Sequence, residues 1–172
     1  MANELTRTGY GQVEPNHLSA PRTGQIYAQL PWDDSATSVT VLENGTFAKY
    51  DMAAGKVNFT GAGEWMLVLN EVKLYNEQYQ NYKDFALKTT EATDGVITPR
   101  LFKTNIGDIY TTNMVKTTDA GLKVVDVNLV VGTTGILEKE PATPVAGAMT
   151  WKVVKVTTMP DGQAAVKLQR IQ

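Results

Sequence analysis

Residues able to do chemistry are few in this chain and stand far apart. The only histidine is His17, between Asn16 and Leu18. A lone imidazole can neither complete a catalytic triad nor share a multi-histidine metal site. There is no cysteine, which excludes thiol catalysis, disulfides and thiolate-bound metals. The pair Asp33-Asp34, after Trp32 and before Ser35, offers carboxylate oxygens of the kind calcium takes. It lacks the alternating acidic spacing of a calcium loop, so a turn with its carboxylates on backbone amides is the better reading. Asp108, Asp119 and Asp126 fall on separate elements. A glycosidase pair needs only spatial proximity, but nothing in the spacing selects two of them. Gly61-Ala62-Gly63 looks like a fragment of a dinucleotide-binding turn, yet no helical pattern follows it to meet a pyrophosphate. The expectation is a protein that is not an enzyme, with no catalytic set, no cofactor and no metal.

Aromatic residues offer a different chemistry, stacking on a sugar or a protein surface. Trp65 and Trp151 each open an apolar strand and read as core. Trp32 has polar neighbours and is the candidate exposed aromatic. Between Asn76 and Phe85, Tyr79 and Tyr82 follow Tyr75 at helical spacing. They read as a surface loop packed back on the body, or as a contact patch, since tyrosine gives large contact area at low entropic cost.

The bulk properties narrow the partners. A chain of 172 residues with 42% hydrophobic content can bury a core, as one compact domain or two small β domains. The formal net charge is -2, and no lysine- or arginine-dense stretch supplies the basic stripe of a nucleic-acid groove. No basic amphipathic helix marks a membrane surface, and no apolar run is long enough to span a bilayer. The first residues lack the apolar core of a signal peptide. The chain is expected to be made in a cytoplasm and to stay soluble, so the Asn-x-Thr triplets at Asn44 and Asn58 carry no glycosylation meaning.

The elements that must position these residues read as strands. Ile26–Leu30 is an extended run stopped by Pro31. Val39 and Val41 alternate with polar residues into Glu43-Asn44-Gly45-Thr46, the strongest short hairpin signal. Phe47–Tyr50 returns, Ala53-Ala54-Gly55 turns, and Lys56–Thr60 alternates again. Trp65–Leu69 is apolar on both faces, with Met66 and Val68 opposite Trp65 and Leu67, and the strand continues to Tyr75. Val96–Thr104 is extended around Pro99, and Asn105–Asp108 turns into Ile109–Thr112. Leu122–Val131 reads as a strand with Val125, Val127, Leu129 and Val131 on one face. Gly132–Pro144 reads as a loop in which Ile136-Leu137 pairs briefly. Trp151–Thr157 and Ala164–Ile171 flank Met159–Gly162 as a terminal hairpin, with Val166 and Leu168 inward. The pattern is all-β: a compact antiparallel sandwich or barrel body, divisible into subdomains 25–94 and 95–172.

Residues 1–24 stand apart from that body. Gly9, Gly11, Pro15, Pro21 and Gly24 interrupt them and no period runs through, so they read as an extended N-terminal arm. An arm of this kind gains its shape from what holds it, the body or a neighbouring chain.

A cysteine-free, helix-poor chain with a proline-punctuated arm from Ala2 to Gly24, a compact β body and a terminal hairpin from Trp151 to Ile171 resembles a tailed-bacteriophage capsid accessory protein, of the decoration, cement or head-fibre-base class. The resemblance implies a structural virion protein that binds and stabilises a capsid. Its implied partner is a major capsid protein or other virion head protein, its site the virion, and its form a homo-oligomer or many copies on a lattice. Neither nucleic acid nor membrane is implied. The arm would clamp a partner through Tyr10, Val13, Leu18 and Ile26, with Arg7 and Arg22 as charged anchors and His17 stacking or hydrogen-bonding where it docks. On this reading, deleting residues 1–24 leaves the β body folded. The rival reading is a carbohydrate- or receptor-binding β module centred on Trp32.

Overall fold

The computed structural model describes residues 11–19, 26–28, 30–35, 39–70, 86–89, 93–116 and 124–172. In chain order its strands are β1 (Val13–His17), β2 (Ile26–Ala28), β3 (Val41–Glu43), β4 (Phe47–Asp51), β5 (Lys56–Asn58), β6 (Trp65–Val68), β7 (Ala86–Lys88), β8 (Leu101–Phe102), β9 (Ile109–Thr112), β10 (Asn128–Val131), β11 (Leu137–Lys139), β12 (Thr150–Thr158) and β13 (Ala164–Arg170). A 3-10 turn spans Thr93–Gly95. None of the described residues forms a helix long and apolar enough to cross a membrane.

The all-β expectation holds. Three antiparallel sheets form: six strands in the order β1-β9-β13-β12-β10-β11, five in the order β2-β8-β6-β4-β5, and the pair β3-β7. Alternation along β4 and β6 stacks them. Phe47 and Leu67 join Tyr110, Leu129, Trp151, Val153, Val166 and Leu168 in one buried cluster, against the six-stranded sheet. Ala48, Met66 and Val68 point the other way, into a second cluster with Trp32, Leu42, Val57, Ile97 and Leu101, on which Leu87 packs. The five-stranded sheet is therefore a middle layer, buried on both faces, as the doubly apolar Trp65–Val68 run predicts. In the first core the Trp151 indole meets Tyr110 edge-on at 4.9 Å and 88°. Burial pushes the Tyr110 phenol far above its ordinary pKa, because its ionised form has no water to solvate it.

Several local expectations are corrected. Asn44-Gly45 does turn the chain, with Gly45 at φ 90°, but no hairpin forms. β3 pairs with β7, and β4 with β5 and β6. The flanking backbone is already engaged elsewhere: Gly45 N–H bonds Val68 C=O at 3.0 Å and Phe47 N–H bonds Gly135 C=O at 2.7 Å. The Asn-Gly pair is a corner between layers. Gly135, at φ 74°, must lack a side chain, since a Cβ there would collide with the Phe47 carbonyl. β10 begins at Asn128 rather than Leu122, and Val124 and Val125 are exposed, because a turn with Asp126 at φ 73° breaks the alternation. The charged run expected in a loop instead contributes Glu138 and Lys139 to β11. β6 ends at Val68, and the tyrosine-rich 76–85 stretch lies outside the described residues. The terminal hairpin stands as predicted, with Val166 and Leu168 fully buried.

The sheets do not follow the division at residues 94 and 95. Leu101–Phe102 pairs with β6 and β2 in the middle sheet, while Val13–His17 pairs with β9 in the six-stranded one. Strand order is set by which faces can be covered, and both halves of the chain contribute to both cores. Leu67→Ala, at the contact between the two larger sheets, should cost about 2–5 kcal/mol in urea unfolding. Met52→Ala, in the exposed β4–β5 turn, should stay within about 0.5 kcal/mol.

Candidate functional site

Residues 11–19, part of the expected N-terminal arm, are held by the body itself, as an edge strand among the described residues with a polar seat. β1 lies antiparallel to β9, with Val13 opposite Thr112, Glu14 opposite Thr111 and His17 opposite Ile109, and with a register shift between Glu14 and His17. The shifted stretch contains Pro15, which has no N–H to give to a ladder and is tolerated at a sheet edge or bulge.

The seat is made largely of side chains. Gln12 N–H donates to Asn113 Oδ1 at 2.6 Å, and its carbonyl accepts from Thr112 Oγ1 at 2.6 Å. Its side-chain amide reaches the β12–β13 turn and donates to Asp161 Oδ2 at 2.7 Å. Asp161 also accepts from the Gln163 side chain at 2.6 Å, and Asn113 Nδ2 donates to Gln163 Oε1 at 3.2 Å. Further along, Thr111 Oγ1 donates to Asn16 Oδ1 at 2.6 Å. At the far end Ser19 donates its N–H and its hydroxyl to the two Asp108 oxygens at 3.1 and 3.0 Å. At the near end Gly11 N–H donates to Glu43 Oε2 at 3.2 Å. Both ends of the segment are thus fastened to carboxylates of the body. Gln12, Asn113, Gln163, Thr111, Thr112 and Asp108 are all buried, where an unpaired polar group is costly. The set is mutually satisfying, so it fixes both position and register.

The residues singled out from sequence separate into three groups. Val13, His17 and Leu18 lie together on this segment: Val13 half-buried against the first core, His17 exposed, and Leu18 only 2% exposed inside that core. Leu18 therefore anchors the segment to its own body and is not a free contact for a partner. Ile26 belongs to β2, paired through the backbone with Phe102 in another sheet. Arg7, Tyr10 and Arg22 lie outside the described residues. Trp32 is 3% exposed, which overturns its reading as an exposed aromatic. Its backbone bonds Ile97 C=O at 2.8 Å, and its ring sits edge-on to Phe59 at 4.7 Å. The polar neighbours that suggested exposure occupy the turn beyond the ring.

Asp33 performs the turn-capping role. Its Oδ1 accepts from Ser35 N–H at 3.2 Å and Ser35 Oγ at 2.6 Å, and faces Lys56 Nζ at 3.2 Å. The Ser35 hydroxyl, then the Lys56 ammonium, hold its carboxyl below the usual range. Asp108 bonds Ser19 and Asn105, while Asp126 pairs with Lys152 at 2.8 Å, so neither joins a second acid. Asp119 is outside the described residues. Among the described residues no three His, Cys, Asp or Glu side chains converge where a metal ion would sit.

A surface groove encloses about 540 Å³ and is lined by Lys49, Trp65, Val131, Glu138, Met149 and Arg170, among others. The Lys49 ammonium lies 4.7 Å from the Trp65 ring centre, so a cation occupies one face of the only tryptophan there. Arg170 donates to the Thr104 carbonyl and, at 3.0 Å, to its hydroxyl. These cations are engaged within the fold. Gln12, Asn113, Asp161 and Gln163, which carry the seat, have no signature in the sequence beyond the polar turn around Asp161. Comparison with protein-family models, curated proteins and solved structures finds no match to this chain.

Deleting residues 1–24 should destabilise the protein by several kcal/mol, since burying Leu18 alone contributes about 1.5–3 kcal/mol and β1 and its tethers go with it. Calorimetry on the truncated protein would read this as a lowered thermal midpoint. Asp33 has a lowered folded pKa, so its contribution is complete above about pH 4, the unfolded range. That contribution is lost as the pH falls through the lowered folded value. Asp33→Asn should therefore flatten this part of the acid limb in a midpoint-against-pH series.

Proposed function

We propose that the chain is a structural virion protein of a tailed bacteriophage, of the decoration, cement or head-fibre class, that binds and stabilises the capsid through its N-terminal segment and β surface. The observation that carries the reading is the seat of residues 11–19. It fixes Gly11, which follows residues 1–10 in the sequence, beside Glu43 and the buried Asn44.

Ordering a free chain costs about 1–2 kcal/mol per residue in backbone entropy. An arm whose root is already fixed spares that cost for the root and confines it to the residues that meet the partner. Arg7 and Tyr10, and Arg22 beyond the segment, are the contacts proposed for a major capsid protein or another head protein. A lattice then turns modest affinity per copy into durable attachment through avidity.

The proposal also draws on where the polar residues are used. Asn44 holds both backbone groups of Asn70, at 2.7 and 3.0 Å. Asn58 accepts from Gly61 N–H at 2.6 Å, and Asp108 secures Ser19. These side chains act on backbone and turns, as a protein whose work is mechanical requires.

Density-gradient purification of DNA-filled heads from infected cells, followed by cross-linking mass spectrometry, tests the reading. The expected result is this chain banding with the heads and cross-linked to a head protein through residues 1–10 or 22. Heads that band without it, while it stays with free protein, would refute the proposal.

A further inference from the structure

The seat on β9 recognises the sequence laid on it. Asn113 and Thr112 hold the backbone of Gln12, Asp161 takes its side-chain amide, Thr111 meets Asn16, and Asp108 takes both donors of Ser19. The contacts to the Gln12 backbone would form with any residue but proline. The Gln12 amide on Asp161, the Asn16 amide oxygen on buried Thr111 and the Ser19 hydroxyl on buried Asp108 instead depend on the side chains of residues 11–19, so the seat prefers this sequence.

The occupant is also the part of the sheet most easily withdrawn. Among the described residues β1 is an edge strand with one neighbour, its ladder shifts register between Glu14 and His17, and Leu18, just past it, is the one buried large apolar side chain of residues 11–19. Segments with few buried apolar contacts open at lower free energy than the global fold. β2 belongs to a different sheet, so lifting β1 breaks no pairing of the middle layer.

We propose that β1 is an exchanged strand: in the assembled protein, residues 11–19 of one copy fill the β9 seat of a second copy. This rests on the reading of the chain as an assembling structural protein, and it names that assembly's self-contact. Every hydrogen bond of the closed form is remade between copies, so exchange requires no new complementary surface. Each copy gives one strand and receives one, which links copies head to tail into a ring or an open array. The same contact serves in both forms, and raising the local concentration, as a lattice does, selects the exchanged one.

Cysteine pairing distinguishes the forms, because the chain has no cysteine of its own. His17 and Ile109 are register partners, exposed and half-buried respectively, so replacing them leaves the core intact. The double variant H17C/I109C, oxidised when dilute, should close within one chain, which confirms fold and register. Full-length H17C and I109C proteins are then mixed, concentrated to assembly and oxidised. Exchange predicts a covalent dimer in the equimolar mixture, with the 17–109 disulfide joining two chains by mass spectrometry, formed by a fraction of the assembled protein that approaches the one-half set by random mixing. An assembled fraction lacking that dimer would overturn the proposal, as would a mixture that stays single-copy at millimolar concentration. Failure of the dilute double variant to close would overturn it too. As a readout independent of substitution, hydrogen exchange of the unaltered protein should protect β1 at least tenfold less than β13, and equal protection counts against exchange. Head binding by the unaltered chain is scored separately, so a missing dimer with intact head binding rejects strand exchange alone.

Discussion

β4 and β6 send apolar side chains to both of their faces, and that double demand organises the molecule. Phe47 and Leu67 need one covering layer, and Ala48, Met66 and Val68 need another. A sheet buried on one side only would leave either set in water, at roughly 25 cal/mol for each Å² of apolar surface. The six-stranded sheet answers the first need. The short β3–β7 pair, with the segments bearing Trp32 and Ile97, answers the second. The small third layer is thus a requirement of the middle one.

That constraint also accounts for the corner at Asn44-Gly45. A hairpin there would have paired β3 with β4 in one sheet and left the second cluster uncovered. The chain instead steps between layers, and side chains supply what ladder pairing would have supplied. Asn44 bonds the N–H and C=O of Asn70 as a neighbouring strand would, and Phe47 N–H is taken by Gly135. The backbone groups at the corner stay satisfied while the chain changes sheet.

The sequence made the class of fold and most strand positions legible, because period-two alternation and turn residues are local signals. It made Trp65–Val68 legible as buried on both faces and Val166 and Leu168 as inward. Pairing was less legible: Asn-Gly marks a turn, but which strands it joins depends on what else competes for their edges. Trp32 was misread for a related reason, since polar neighbours in sequence do not set burial when they occupy the next turn. The seat of β1 was invisible, because Gln12 meets Asn113 and Asp161 across separations of 101 and 149 residues. Amide and hydroxyl side chains carry no periodicity that would bring them together on paper. Leu18 was visible as apolar, but not as an anchor to its own body.

The chemistry of that seat differs from the chemistry of the two cores, and the difference bears on what the segment can do. Apolar cores tolerate many sequences of suitable volume and hold whatever fills them. A seat of paired amides, hydroxyls and carboxylates contributes a modest net free energy per bond, about 0.5–1.5 kcal/mol for neutral partners, yet penalises a mismatch more heavily because a buried group is then left unpaired. The result is a strand held with high selectivity and moderate strength. Two or three added apolar residues would have fastened β1 permanently at less cost in sequence precision. A seat that instead reads Gln12, Asn16 and Ser19 is suited to a contact that must be made with the right strand and can still be opened.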